Sequence, residues 1–260
     1  LVIGLLLSFA SNAQLLPSYG EERAGLSAFT FLKLPIDPAS TGVGGASLAM
    51  TEHSFGALIN PALISGGNQQ GVFSANRALG GGINHDFVAL TKARKNGQHI
   101  ALTLNSLSTG SIIERTVWQP EGTGATTSAT LASVGLGISQ AFSEYFHAGV
   151  QLKYGLEQLG VYRAHNVYLD LGFLYKLDIA DLQFAAALTN FGPNTPISNM
   201  PIGQESALAA SPQMFSMGIQ WTAWENDDHS LTPGLQLNHP TDNAEFYAGG
   251  LKYQWRSQLW

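Results

Sequence analysis

The stretch from Phe146 to Glu157 alternates strictly between apolar residues and residues that are mostly polar or glycine. Successive side chains of a β-strand point to opposite faces, so this pattern predicts a strand with one apolar and one polar face. The pattern recurs clearly in three further stretches: Val167 to Leu177, Phe215 to Trp221 and Tyr247 to Trp255. Weaker copies lie near residues 71–79, 83–92, 98–105, 131–141, 181–190 and 230–238. The sequence therefore predicts about ten strands, many of about 9 to 11 residues, the length with which a tilted strand crosses a bilayer.

Alternation alone leaves two architectures open, because a soluble β-sandwich alternates as well. The polar positions carry few charges, and charged residues make up only 12% of the chain, about half the usual share in soluble domains. Aromatic residues stand near strand ends, where a membrane barrel carries its aromatic girdles: Tyr175, Trp221, Trp224, Tyr253 and Trp255. Both features favour a barrel that exposes its apolar faces to lipid.

The predicted connections between strands differ in length. Four are short polar turns: Lys95 to Gly97, Ser143 to Glu144, Asp178 to Asp181 and Glu225 to Asp228. Two are long, at residues 106–126 and 191–213. Short turns on one side and long loops on the other are typical of outer-membrane barrels. We therefore predict an all-β fold, a transmembrane antiparallel β-barrel in a bacterial outer membrane with membrane lipid around it.

Residues 1–13 have the features of a signal peptide. Leu1 to Ala10 is apolar but too short to span a bilayer, and Ser11-Asn12-Ala13 is a small-x-small cleavage pattern. We expect the chain to begin inside this signal and the mature protein to start at Gln14. No later stretch approaches the roughly 18 apolar residues of a transmembrane helix.

Residues 14–66, here called the N-terminal segment, do not alternate and are interrupted by prolines and glycines. The cluster Gly42 to Ser47 lacks the third glycine of a dinucleotide fingerprint and the lysine of a P-loop, so it predicts close packing and not nucleotide binding. Apolar residues such as Phe29, Phe31 and Leu34 need cover from water. We predict that this segment is a hatch inside a barrel formed by residues 67–260.

Composition and motif spacing argue against several function classes. A formal net charge of −6 provides no basic face for nucleic acid, and the chain has no cysteine. The seven histidines lack the spacing of a zinc protease, and no G-x-S-x-G nucleophile elbow occurs. The sequence predicts a protein that is not an enzyme, with no cofactor, metal or catalytic residue.

Four charged or titratable side chains are predicted to face the barrel interior: His147, Lys153, Glu157 and Asp170. They could pair across the interior or line a polar path. Pairing is the favoured interpretation, because interior charges are usually matched.

Several motifs in sequence order resemble the PorV/PorQ family of Bacteroidota outer-membrane proteins. They are Gly25 to Leu34, Gly42 to Ala46, Asn60-Pro61-Ala62-Leu63, Gly149 to Tyr154, Asp170 to Tyr175 and Asn190-Phe191-Gly192-Pro193. The resemblance implies a 14-stranded barrel similar to long-chain fatty-acid transporters, with an N-terminal hatch to which Asn60 and Pro61 belong. About ten strands are visible, so the resemblance also implies that the last strands are missing from this chain. The alternative is a complete ten-stranded barrel, since bacterial barrels have even strand numbers.

The resemblance implies an accessory protein of type IX secretion that interacts with secretion components and receives secreted cargo or attaches it to the surface. The long predicted loops could present the docking surface. A second hypothesis is a passive transporter of hydrophobic small molecules, with a pocket between hatch and wall lined by residues such as Phe29, Phe31 and Leu34. A soluble exported β-sandwich is the third.

Overall fold

The computed structural model describes residues 25–50, 55–66, 70–198 and 208–256. The strands of this part are β1 Gly71–Gly80, β2 Ile83–Ala93, β3 Gln98–Ser108, β4 Ile112–Ile113, β5 Thr126–Thr127, β6 Ala129–Ala141, β7 Phe146–Leu159, β8 Tyr162–Lys176, β9 Gln183–Phe191, β10 Thr195–Ser198, β11 Leu208–Ala209, β12 Met214–Gln220, β13 Trp224–Glu225, β14 His229–Pro240 and β15 Phe246–Trp255. The helices are short: α1 Pro38–Gly42, α2 Gly56–Ile59 and α3 Leu63–Gly66, with 3-10 turns at Thr30–Lys33 and Lys95–Gly97. The predicted signal peptide, residues 1–13, lies outside the described residues, as does the first part of the N-terminal segment. No described helix has the length and apolar character needed to span a bilayer.

Each of the ten predicted strands is present. The four clearest stretches correspond to β7, β8, β12 and β15, and the six weaker ones to β1, β2, β3, β6, β9 and β14. The observed strands extend up to five residues beyond the predicted ends, as β8 does by starting at Tyr162. The five remaining strands have two to four residues, which is too short for a period of two to be recognised in the sequence.

Thirteen of the described strands form one sheet, in which the long strands follow one another in chain order. Every pairing in this sheet is antiparallel, and β7 and β8 align through fourteen residue pairs from Phe146↔Tyr175 to Leu159↔Tyr162. Strands β4 and β5 form a separate two-stranded sheet. The predicted all-β, antiparallel architecture is therefore confirmed.

The two faces of the large sheet have opposite character. On the outer face the apolar side chains are exposed, for example Leu136 and Leu152, of which Leu152 is 55% accessible. On the inner face the polar side chains are buried, for example Gln151 and Asp170, which is 0% accessible. No second large sheet among the described residues covers the outer face, so the apolar stripes do not meet across a sandwich interior. This distribution is the reverse of that in a water-soluble domain.

The N-terminal segment packs along the inner face from one edge of the sheet to the other. Its Phe55 ring lies 6.2 Å from that of Phe73 on the first strand, β1. Its Val43 lies so close to Gly250 on the last strand, β15, that a Cβ at position 250 would collide with it. Between these edges, α3 contacts β3, β6, β7 and β8, and Leu48 packs on β9. Ile36 packs on β2, and Leu48 and Met50 lie against the glycines of β12 and β14. The N-terminal segment therefore touches the same face of all ten long strands.

The connections divide between the two ends of the sheet. One end, here the short-turn end, carries the connections 94–97, 142–145, 177–182 and 221–228. The other, here the long-loop end, carries the connections 109–128 and 192–213 together with tight turns at 81–82, 160–161 and 241–245. Both long loops lie at one end, as the sequence predicts, although three of the five connections there are short.

Candidate functional site

The candidate site is the interface between the N-terminal segment and the inner face. At the long-loop half of this interface, Phe29 is fully buried and its backbone adopts a left-handed conformation, with φ of 57°. Its N–H donates to Glu157 Oε2 at 2.8 Å. Its ring packs edge-on against Tyr168, with centroids 5.5 Å apart, beside Gly155. Phe31 lies buried in the same cluster, so side chains fill the space around both phenylalanines.

Asn60 and Pro61 dock where two strands carry glycines. The Asn60 amide donates to the carbonyl of Phe173 at 3.1 Å, and its Oδ1 accepts from the N–H of Ala62 at 3.0 Å. A Cβ at Gly172 would collide with Asn60 Oδ1, and one at Gly149 would collide with the Pro61 backbone. The glycines of β7 and β8 therefore provide the room that this turn occupies.

His147 lies on the inner face near the short-turn end, next to α3. Its Nδ1 is 3.2 Å from Ser65 Oγ, which in turn is 2.6 Å from Ser139 Oγ. Ser139 Oγ donates to the carbonyl of Ala62 at 3.1 Å. This chain of hydrogen bonds joins β6 and β7 to the N-terminal segment.

Lys153 and Asp170 form a buried ion pair on neighbouring strands, with Lys153 Nζ 2.7 Å from Asp170 Oδ2. Lys153 Nζ also donates to Asn190 Oδ1 at 2.5 Å, and Asp170 Oδ1 accepts from the Asn190 N–H at 2.7 Å. Asn190 can meet both because its backbone is left-handed, with φ of 57°, where the pairing of β8 with β9 shifts register. Burying two charges is costly unless they are paired and hydrogen-bonded, and here each charge has the other and Asn190 as partners.

Leu34 occupies a different position from Phe29 and Phe31. It is 42% accessible and lines a cavity of about 170 Å³ between the N-terminal segment and strands β9, β12 and β14. Polar side chains form one wall, where Ser216 Oγ and Gln236 Nε2 both donate to Asn238 Oδ1 at 2.7 Å. Beside the cavity, Lys33 pairs with both carboxylate oxygens of Asp242, at 2.5 and 2.6 Å.

The polar groups of this interface mainly bind one another and the backbone. Their hydrogen bonds fix the position of the N-terminal segment against the strands. Among the described residues, no three His, Asp or Glu side chains converge to form a metal site. The arrangement serves packing and pairing, and the four predicted interior groups do not form one cluster: Lys153 and Asp170 meet, whereas His147 and Glu157 each bind a different part of the segment.

The outer face carries aromatic residues in rows. At the short-turn end the rings of Phe142, Phe146 and Tyr175 contact in sequence, with centroids 5.8 and 6.5 Å apart. At the same end of the sheet, Trp224 of β13 and Tyr253 of β15 each stack on His229 of β14, at 5.8 and 5.9 Å. In the adjacent turn, the Tyr145 hydroxyl donates to Asp178, and this hydrogen bond raises the pKa of Tyr145.

A second aromatic position lies eight residues further along β7. There Tyr154 packs against His165, with ring centroids 6.2 Å apart. Eight strand residues span about 26 Å along the strand, or about 20 Å across a layer for a strand tilted by about 40°. Aliphatic side chains such as Val150 and Leu152 occupy the outer face between the two positions.

Comparison of the chain with protein-family models and with curated proteins found no match. The resemblance noted in the sequence therefore depends on the quoted motifs alone.

Three interactions of the interface were not predicted from the sequence. They are the hydrogen bonds of Asn190, the Lys33–Asp242 ion pair and the hydrogen bond between Glu157 and the Phe29 backbone. A signal for Asn190 does exist, because Asn before Phe-Gly-Pro favours a turn and Asn tolerates left-handed backbone. Lys33 and Asp242 are 209 positions apart, and no local pattern relates residues at that separation.

Proposed function

We propose that the protein is an outer-membrane β-barrel whose N-terminal segment fills its interior. The observation that carries this proposal is the reversed distribution of side chains, with exposed Leu136 and Leu152 opposite buried Gln151 and Asp170. Apolar surface of this extent is unfavourable in water and favourable in lipid. The aromatic residues at both margins of the aliphatic band support the same setting.

We infer that the sheet closes around the N-terminal segment. Its edge strands β1 and β15 both touch that segment, through Phe73 and Gly250. A curved sheet that presents one face to a common core is what a barrel with a hatch requires. The family resemblance implies 14 strands, four more than the ten long strands of the described residues, and these four would complete the closure between β15 and β1.

We propose that the barrel acts without catalysis, as an accessory protein in type IX secretion that binds secretion components or cargo at its long-loop end. The role in type IX secretion is proposed from the resemblance to the PorV/PorQ family. The loop from residue 109 to 128 supplies a surface, because β4 and β5 hold it as a hairpin. At its tip Thr116 and Gln119 form a bridge that presents Val117 and Trp118, the latter 91% accessible. Exposed tryptophan on a rigid support is typical of a binding surface.

Deleting the gene and measuring secreted cargo tests this proposal. We expect cargo to remain inside the cell or to lose its attachment to the surface. A matched strain would carry the full protein with residues 112–127 replaced by a short Gly-Ser linker, and we expect a partial defect at an unchanged barrel level in the outer membrane. Normal export and attachment in the deletion strain would contradict the secretion role.

A second function is favoured by one observation, the cavity of about 170 Å³ beside Leu34. A passive transporter of hydrophobic small molecules needs a pocket between hatch and wall, and this cavity lies there. The side chains packed around Phe29 and Phe31 count against a continuous path. Uptake of a radiolabelled fatty acid by cells with and without the gene tests this alternative; equal uptake would exclude it.

A further inference from the structure

A second cavity, of about 300 Å³, opens at the long-loop end and shares no lining residue with the pocket beside Leu34. It lies between the start of the described N-terminal segment, the adjoining ends of β7 and β8, and the short strands β10 and β11. Its apolar lining includes Leu26, Leu159, Ile197 and Leu208. Its volume is at the lower limit of small-molecule sites.

One carboxylate lies in this apolar lining. Glu157 belongs to the inner face of β7 and is partly buried, and its Oε2 accepts the N–H of Phe29. Three other interior carboxylates are better compensated: Asp170 pairs with Lys153 and Asp242 with Lys33. The third, Asp37, accepts three hydrogen bonds, from the N–H groups of Ala39 and Ser40 and from Ser40 Oγ. No basic side chain of the described residues forms an ion pair with Glu157. A partly buried carboxylate with a single neutral donor lacks the compensation that burial of a charge demands.

A second polar group in the same lining lacks a partner. Ser27 Oγ is buried, and no atom of the described residues hydrogen-bonds to it. Arg163 also lines the cavity, but its side chain is exposed and therefore solvated by water. The two groups of the lining that need a further partner are thus the Glu157 carboxylate and the Ser27 hydroxyl. A cation with several N–H donors could hydrogen-bond to both, and an alkyl chain attached to it would cover the leucines.

We propose that this cavity binds a primary ammonium group carried on a short apolar chain. The ammonium donates to Glu157 and to Ser27 Oγ, and the chain lies against Leu26, Leu159 and Leu208. The negative charge of Glu157 repels an anion from the part of the cavity next to it. An uncharged alcohol of equal length gains the apolar contacts but not the charge-assisted hydrogen bonds.

Isothermal titration of the purified full chain in a neutral detergent tests the site, with hexylammonium as the probe and hexan-1-ol as its uncharged match. Titrations into detergent without protein correct for partition into micelles. We expect saturable binding of hexylammonium, weakened about tenfold or more by Glu157→Gln and less by Ser27→Ala. Gln at position 157 keeps an oxygen for the Phe29 N–H, so the fold is retained.

The matched control is Glu144→Gln, which removes a negative charge from the exposed turn 142–145 at the opposite end of the sheet and should leave the affinity unchanged. Equal affinity of the wild-type protein and Glu157→Gln, equal affinity for hexanol and hexylammonium, or no binding at all would overturn the proposal. The titration is independent of secretion, so its outcome is distinguishable from failure of the proposed function.

Discussion

Replacing Gly172 by alanine should weaken the docking of the N-terminal segment, because the new methyl group would enter the space of the Asn60 side chain. Its Cβ would collide with Asn60 Oδ1 and lie 3.1 Å from Pro61 Cδ. Relief requires the turn to move away from β8, which breaks the hydrogen bond from Asn60 to Phe173; the bond from the Ala62 N–H to Asn60 Oδ1 lies within the turn and moves with it. Overpacking costs about 1–3 kcal/mol, and each lost hydrogen bond costs about 1 kcal/mol. We expect the free energy of unfolding to fall by about 2–4 kcal/mol.

Gly249→Ala is the matched control. It also adds a methyl group to a strand glycine, but its nearest contact would be an ordinary one of 3.6 Å to Leu235. Urea unfolding in a neutral detergent, followed by tryptophan fluorescence, gives the stability of both variants. Hydrogen–deuterium exchange of peptides covering residues 55–66 reports docking directly and should accelerate in Gly172→Ala alone. Equal stability and equal exchange in the two variants would refute the reasoning.

Three further predictions concern the ion pair, the outer face and the loop. Lys153→Met should destabilise the protein by about 3–5 kcal/mol, because it leaves Asp170 buried without its cation. A second change, Asp170→Asn, should restore part of that loss, and additive effects of the two changes in a urea double-mutant cycle would contradict the coupling. Leu152→Arg should lower the free energy of unfolding by about 2–4 kcal/mol, the penalty at a bilayer midplane, and reduce the heat-modifiable barrel fraction on gels. Gln158→Arg, near the end of the same strand, should do neither, and equal effects of the two variants would contradict the membrane assignment. Trp118→Ala should leave urea stability unchanged and reduce the recovery of partners in pull-downs from outer membranes; unchanged recovery would exclude Trp118 from the docking surface.

The long strands were predictable from sequence because a period of two is imposed by the backbone itself. In β7 the alternation of Gln151, Leu152, Lys153 and Tyr154 gives both the strand and the identity of each face. The short strand β13 was not predictable because two residues cannot show a period of two, and β10 and β11 were not predictable because they pair across an intervening stretch of chain. Leu208 of β11, for example, pairs with Pro196 of β10.

The inner interface was predictable only in part. Lys153 and Asp170 could be assigned to one polar face, and their opposite charges favour pairing. The network nevertheless depends on Asn190, which reaches it through a register shift and a left-handed residue. The docking of Phe29 likewise depends on a conformation that alternation cannot reveal, since phenylalanine rarely adopts positive φ.

Whether the outer face lies in lipid can be tested by comparing two exposed apolar positions. The chain has no cysteine, so Leu152→Cys and Val117→Cys can each carry one spin label in protein reconstituted into liposomes. Oxygen concentrates in lipid and a nickel chelate stays in water. The collision rates of the spin label with these two reagents therefore show whether the label lies in lipid or in water. We expect the Leu152 label to collide mainly with oxygen and the Val117 label mainly with nickel. A Leu152 label as accessible to nickel as that at Val117, or protein that stays in solution without detergent, would show that the outer face does not lie in lipid.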